Sequence, residues 1–214
     1  MNPAIEAAFE FSNTDAVRYV DYWEQLTART SSDLFRRFLF AFMSVHTTWE
    51  SNVNGYQAIR DYKNWLGNRH GLRDRIAVVG AGLHNNRARY IDDFSESYWA
   101  DPQWWRRAPR ESWRVYRDRL EKKVVGLGPA KVSFALEIAY PLEAEVLCLD
   151  VHMLRLYGKR TQSLRAGEYE RYEADWLGRC HAAEMPSFIV KQMHWDALQG
   201  RPDSRYWSHV FESH

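Results

Sequence analysis

Cysteine is scarce in this chain: two residues, Cys148 and Cys180, in 214. That excludes a disulfide-built scaffold and any iron–sulfur or zinc centre held by four cysteines. Long apolar runs are missing too. No stretch approaches the roughly 18 residues needed to span a bilayer, and the opening Met1-Asn-Pro-Ala-Ile-Glu6 lacks the basic start and apolar core of a secretory signal. The expectation is a cytoplasmic, soluble protein. Net charge is close to nil, at +1. Low-complexity tracts and internal repeats are absent, which leaves no signature of disorder. What is plentiful is apolar and aromatic: 45% hydrophobic residues, with ten Trp, twelve Tyr and ten Phe. A chain of this size buries a sizeable core, as one compact unit or two interlocked lobes.

Strand-like alternation is rare, and the periodicity is helical almost throughout. After Thr30-Ser-Ser-Asp33, a helix start signal, Leu34, Phe35, Phe38, Leu39, Phe42 and Met43 fall at i, i+3, i+4, i+7 spacing, which predicts an amphipathic helix. Further helices are expected over 16–28, 55–67, 74–79, 87–98, 112–125, 130–140, 151–157, 166–184 and 187–198. Turns are expected at Asn52 to Gly55, Gly67 to Gly71, Pro102 to Pro109 and Gly200 to Ser204. The fold class read from this pattern is all-α. The end of the chain, Arg205 to His214, offers no functional reading.

The most informative segment is Val124-Val-Gly-Leu-Gly-Pro-Ala-Lys131. Trp113, Tyr116, Leu120 and Val124 give the preceding helix one apolar face, with Arg114, Arg117, Arg119, Lys122 and Lys123 largely on the others. Gly126 and Gly128 stop it. Glycine permits positive φ and leaves backbone amides uncovered, so a Gly-Leu-Gly turn entering a helix can present N–H groups to a phosphate oxygen. Pro129 suits a first helical turn. From Ala130 to Tyr140 only Lys131, Ser133, Glu137 and the tyrosine hydroxyl are polar, which predicts a mostly buried second helix. Between Trp104 and Lys131 there are nine Lys/Arg against three Asp/Glu, a local balance of +6 that leaves −5 elsewhere. Such a concentration is the electrostatic footprint of phosphate docking, or else a solvated helix face.

The stretch from Val125 to Tyr157 resembles the helix-hairpin-helix and following loop of the DNA glycosylase superfamily that includes endonuclease III and the 8-oxoguanine glycosylases. Leu149-Asp-Val-His-Met153 is especially similar to the eukaryotic 8-oxoguanine enzymes. Gly82-Leu-His-Asn-Asn-Arg-Ala-Arg-Tyr-Ile91 resembles a helix start upstream in the same family, with order and spacing in agreement. Pro186-Ser-Phe-Ile-Val-Lys-Gln-Met-His-Trp195 resembles the C-terminal helix of the archaeal 8-oxoguanine glycosylases. The resemblance implies a two-lobed helical glycosylase fold, with one lobe over 45–150 carrying the hairpin of 112–140, the other over 1–44 and 151–214, and an active cleft between them.

It also implies base excision. The family's bifunctional lysine attacks the deoxyribose C1′, displaces the base and forms a Schiff base that leads to strand cleavage; Lys131 is the candidate. The family's aspartate after the second helix stabilises the developing sugar cation, and Asp150 matches it. The resemblance places Gly126, Gly128, Ala130, Arg87, Arg89 and Lys123 against DNA and Trp195, Lys191, His46 and Trp49 around the extruded base. Two departures stand out. Many family members carry the lysine two residues after the second hairpin glycine, where this chain has Ala130; either the hairpin is one residue longer or the enzyme is monofunctional. Lys191 stands where the archaeal group has a base-contacting aspartate. Asp150 has a plain structural reading as the N-cap of the next helix, Trp195 as a core residue, and His152 as a packing residue with no second ligand nearby. No metal or cofactor is expected. The expected partner is double-stranded DNA with a damaged or modified base, bound by a monomer. The readings left open are an 8-oxoguanine glycosylase with lyase activity, an enzyme of viral thymine hypermodification on the same fold, and a non-catalytic DNA-binding module.

Overall fold

The computed structural model describes residues 3–159 and 164–211. Among them there is no strand, and twelve α-helices follow in order: α1 (Pro3–Ala7), α2 (Asn13–Gln25), α3 (Ser31–Met43), α4 (Trp49–Ile59), α5 (Arg69–Val78), α6 (His84–Ala100), α7 (Trp113–Lys123), α8 (Pro129–Ala139), α9 (Val151–Leu156), α10 (Glu168–Ala182), α11 (Ser187–Leu198) and α12 (Ser208–Phe211). No helix is long and apolar enough to cross a membrane. The chain divides into two compact units, Ala28–Ala135 and Met1–Thr27 with Leu136–His214; the resemblance set the lobe bounds near 45 and 150.

In the Ala28–Ala135 unit the core grows around α3. Thr30 caps it through a reciprocal box: the Thr30 hydroxyl accepts from the Asp33 amide at 3.1 Å, and the Asp33 carboxylate accepts from the Thr30 amide at 2.9 Å. The helix is buried well beyond one amphipathic stripe. Phe35, Phe38, Leu39, Phe40 and Phe42 are all enclosed, and even Arg37 is buried, its guanidinium pushed down to about 10 by desolvation. Phe94 of α6 stacks on Phe35 with ring centroids 5.4 Å apart. The turn expected at Asn52 to Gly55 lies instead inside α4, which begins at Trp49 behind the Thr48 cap. Gly55 lies close to α3: a Cβ on it would fall 2.3 Å from the Met43 methyl, the free end of a flexible side chain. The helix expected over 55–67 correspondingly stops at Ile59, and a short 3₁₀ turn, Tyr62–Asn64, follows.

In the second unit α2 lies on α11. Trp23 meets Phe188 edge-on at 4.7 Å and Trp207 at 5.3 Å, so the segment after α11 packs into the core; residues 212–214 of that tail lie outside the described residues. The buried Asp196 carboxylate accepts from Tyr19 (3.0 Å), Ser204 (2.7 Å), Tyr206 (2.7 Å) and Gln192 (3.2 Å), which satisfies a charge that would be costly alone. Leu147, Leu149, Met153, Leu154, Trp176 and Val190 form the rest of this core.

Candidate active site

Within the Ala28–Ala135 unit the hairpin and the Arg-Ala-Arg-Tyr segment meet. Gly126 has φ +95°, and a Cβ on it would sit 2.5 Å from a Tyr90 ring carbon. Both the backbone conformation and the aromatic floor therefore demand glycine. Gly128 differs: its φ is ordinary and nothing lies within 4 Å of where its Cβ would be. Its carbonyl accepts from the amides of Lys131 and Val132, each at 3.0 Å. Among the described residues, the N–H groups of Gly128 and Ala130 have no acceptor. They are the orphan donors of a helix start, with the positive end of the α8 dipole behind them. Lys123, exposed, ends α7 on the other side of the turn.

Lys131, Arg87 and His46 converge on the corner that follows α3. Lys131 Nζ donates to the Ser44 carbonyl at 3.0 Å and stands 5.4 Å from the centre of the Phe134 ring. Arg87 Nη2 donates to the next carbonyl, that of Val45, at 2.5 Å. Two cations on successive carbonyls complement the negative end of α3. His46 comes next, exposed and at φ +49°, a conformation most side chains avoid. Trp49 then opens α4, half-buried against Phe40. Arg87 is 4% exposed, burial lowers its pKa, and its Nε and Nη1 find no acceptor among the described residues. Arg89 is exposed, over the Tyr90 ring at 4.8 Å.

The basic run is less available than its charge implies. Arg119 forks onto Glu111 at 2.8 and 2.9 Å and also donates to the carbonyls of Trp104 and Arg106. That ion pair lowers the Glu111 pKa and raises that of Arg119. Arg107 donates to the Glu111 carbonyl at 2.6 Å, and Arg117 is buried beside Asp118. Arg119 thereby fastens α7 to the 101–112 loop, and Arg107 ties that loop to itself. Arg110, Arg114, Lys122 and Lys123 stay exposed.

The other unit holds Asp150, Lys191 and Trp195. Asp150 caps α9, its Oδ1 accepting from the amides of His152 (2.9 Å) and Met153 (3.0 Å); among the described residues Oδ2 accepts no hydrogen bond. The capping reading is thus realised, and one carboxylate oxygen stays available. Trp195 is half-buried, with the His152 ring edge-on to it at 4.2 Å, and burial lowers the His152 pKa against the pull of Asp150. Lys191 is buried and paired with Glu137. Burial works against its charge, yet Glu137, with Cys148 and Asp150, holds the ammonium above the ordinary lysine value. Glu137 was not foreseen as part of the site, although a glutamate in an otherwise apolar helix signals a buried partner. Among the described residues no three His, Cys, Asp or Glu side chains gather to hold a metal ion.

An all-helical fold in which a tight Gly-Leu-Gly turn joins two helices is shared with solved 8-oxoguanine DNA glycosylases. The 8-oxoguanine DNA glycosylase of Methanocaldococcus jannaschii superposes with a TM-score of 0.73 at 18% identity, over 92% of this chain and 94% of that one. The same organism's 8-oxoguanine glycosylase/lyase, in complex with a 15mer DNA containing 8-oxoguanine, gives 0.72 at 18% identity, over 93% and 97%. The 8-oxoguanine DNA glycosylase of Thermotoga maritima gives 0.67 at 18% identity, over 94% and 92%. The likeness is one of fold. Neither protein-family models nor curated proteins yield a match to the sequence.

Proposed function

We propose that this protein is a DNA glycosylase of base excision repair that extrudes and removes an oxidised base, with 8-oxoguanine the first candidate. The observation that carries the reading is the shared fold over nine-tenths of both chains with 8-oxoguanine glycosylases, one of them solved on DNA containing that lesion. The local chemistry supports it. Gly128 and Ala130 offer bare amides to a phosphate, and Arg89 and Lys123 stand exposed as cations for the backbone. Trp195 offers an aromatic face for stacking.

In the leading mechanism Lys131 gives a proton to water and attacks C1′ with the freed lone pair; the bond from C1′ to the base breaks, and the base leaves with that bond's electron pair and takes up the proton shed by the new C1′–N bond. Opening of the C1′–O4′ bond then yields a Schiff base, from which loss of a C2′ proton expels the 3′ phosphate. Oδ2 of Asp150 stabilises positive charge on the sugar as the base departs. A second reading is favoured by one observation. The Lys131 ammonium donates to the Ser44 carbonyl at 3.0 Å and lies beside the Phe134 ring, contacts that tie the side chain to the corner after α3. In that reading water is the nucleophile, and Lys131 holds the corner that bears His46. Borohydride trapping on a duplex with 8-oxoguanine separates the two. A covalent adduct that disappears in Lys131→Gln establishes the nucleophile; base release with no adduct establishes the monofunctional enzyme.

A further inference from the structure

The seven residues Ala144–Asp150 between α8 and α9 have no regular secondary structure, yet Val146, Leu147, Cys148 and Leu149 are buried. A buried backbone without a helix or sheet must find its hydrogen bonds elsewhere. Two carboxylates supply them. Glu137 of α8 accepts from the Cys148 amide at 3.0 Å, and Glu173 of α10 accepts from the Leu147 amide at 2.9 Å. The Tyr169 hydroxyl donates to the Leu147 carbonyl. From Cys148 the connection runs on without a gap: its carbonyl accepts from the Asp150 amide at 3.0 Å, and Asp150 Oδ1 accepts from the first amides of α9. The second oxygen of Glu137 is bound by Lys191 from α11.

We infer that Glu137 and Glu173 form a carboxylate clamp, locked by Lys191, that positions Asp150, and that Lys191 serves as a positioning residue rather than a base-contacting one. A buried ion pair is a poor device for stability, because desolvating both charges offsets their attraction. Its value lies in direction. Lys191 binds one oxygen of Glu137 and leaves the other turned to the Cys148 amide; burial raises the Glu137 pKa, and the pull of Lys191 and that amide opposes the rise. A segment whose two successive amides are held by carboxylates from different helices, and whose Leu147 carbonyl is held by Tyr169, resists sliding and rotation. The carboxylate of Asp150 is thereby delivered at a fixed height above α9. The catalytic consequence rests on the glycosylase reading; the clamp itself does not.

Two double variants test it. Glu137→Leu with Lys191→Met keeps the volume and removes both charges and the acceptor; Glu137→Gln with Lys191→Met removes the charges and keeps an acceptor for Cys148. The first should retain a cooperative fold while its Cys148 amide exchanges with deuterium about tenfold faster or more, the loss of one net hydrogen bond. Its kcat on an 8-oxoguanine duplex should fall at least tenfold with KM unchanged, and the second variant should recover most of both losses. In the unaltered protein the Leu147 and Cys148 amides should exchange as slowly as core helical amides. Loop-like exchange there, or wild-type exchange and kcat in the first double variant, overturns the clamp. Failure of the unaltered protein to release any base would instead overturn the glycosylase reading and leave the exchange result to judge the clamp.

Discussion

The two hairpin glycines have different jobs, and single substitutions separate them. Gly126→Ala meets both a left-handed backbone and the Tyr90 ring, so it should cost about 2–4 kcal/mol in a thermal or denaturant melt. Gly128→Ala meets neither, and its stability should change by less than about 1 kcal/mol. A methyl group there does cover the amide a phosphate would approach, so a DNA titration should show weaker binding by Gly128→Ala with an unchanged melt. Equal melting losses for the two variants would refute this division of roles. Sequence alone marked both glycines together, because it shows the need for small residues but not which neighbour imposes it. Arg87 teaches the same lesson from the other side: the resemblance sets it against DNA, and the structure encloses it and spends one of its donors on Val45.

At the scale of elements, α3 depends on its first turn. Burial alone would raise the Asp33 pKa, but the amides of Thr30 and Arg29 and the Thr30 hydroxyl outweigh it and hold the carboxyl below its ordinary 3.8. A depressed carboxylate stabilises the fold above its unfolded pKa, and that contribution is lost as the pH falls through the folded value. Asp33→Asn should therefore cost about 1 kcal/mol at pH 7, with the gap from wild type closing below pH 3.8; a gap independent of pH would refute the charge-assisted cap. This cap was legible, since Thr30 and Asp33 stand three residues apart just before an apolar repeat. The start of α4 was not, because Asn52 and Gly55 read locally as a turn while the Thr48 cap and the packing on α3 carry the helix through them. The clamp on Leu147 and Cys148 was equally invisible: its partners are backbone amides 11 and 26 residues away from the carboxylates, and amides carry no sequence signal.

For the molecule as a whole, the all-helical class and the hairpin follow from periodicity and two glycines, whereas the electrostatic face does not follow from counting charges. Arg107, Arg117 and Arg119 are committed to internal contacts, which leaves Arg110, Arg114, Lys122 and Lys123 as the exposed cations of that run. If both lysines meet phosphates, replacing them by Gln should flatten the plot of log affinity against log salt by about 2. Replacing Arg119 should instead loosen the fold, seen as a lower melting temperature, with little change in that slope beyond one unit. Base release can be read from strand integrity. Labelled duplexes carrying 8-oxoguanine, uracil, an oxidised pyrimidine or no lesion are incubated with the purified protein, treated with hot alkali and resolved on a denaturing gel. The account predicts an alkali-labile site on the 8-oxoguanine strand and none on the undamaged duplex. Intact strands on every duplex, from protein that binds them, would contradict it, and a new base mass in those intact strands would identify a base-modifying enzyme instead.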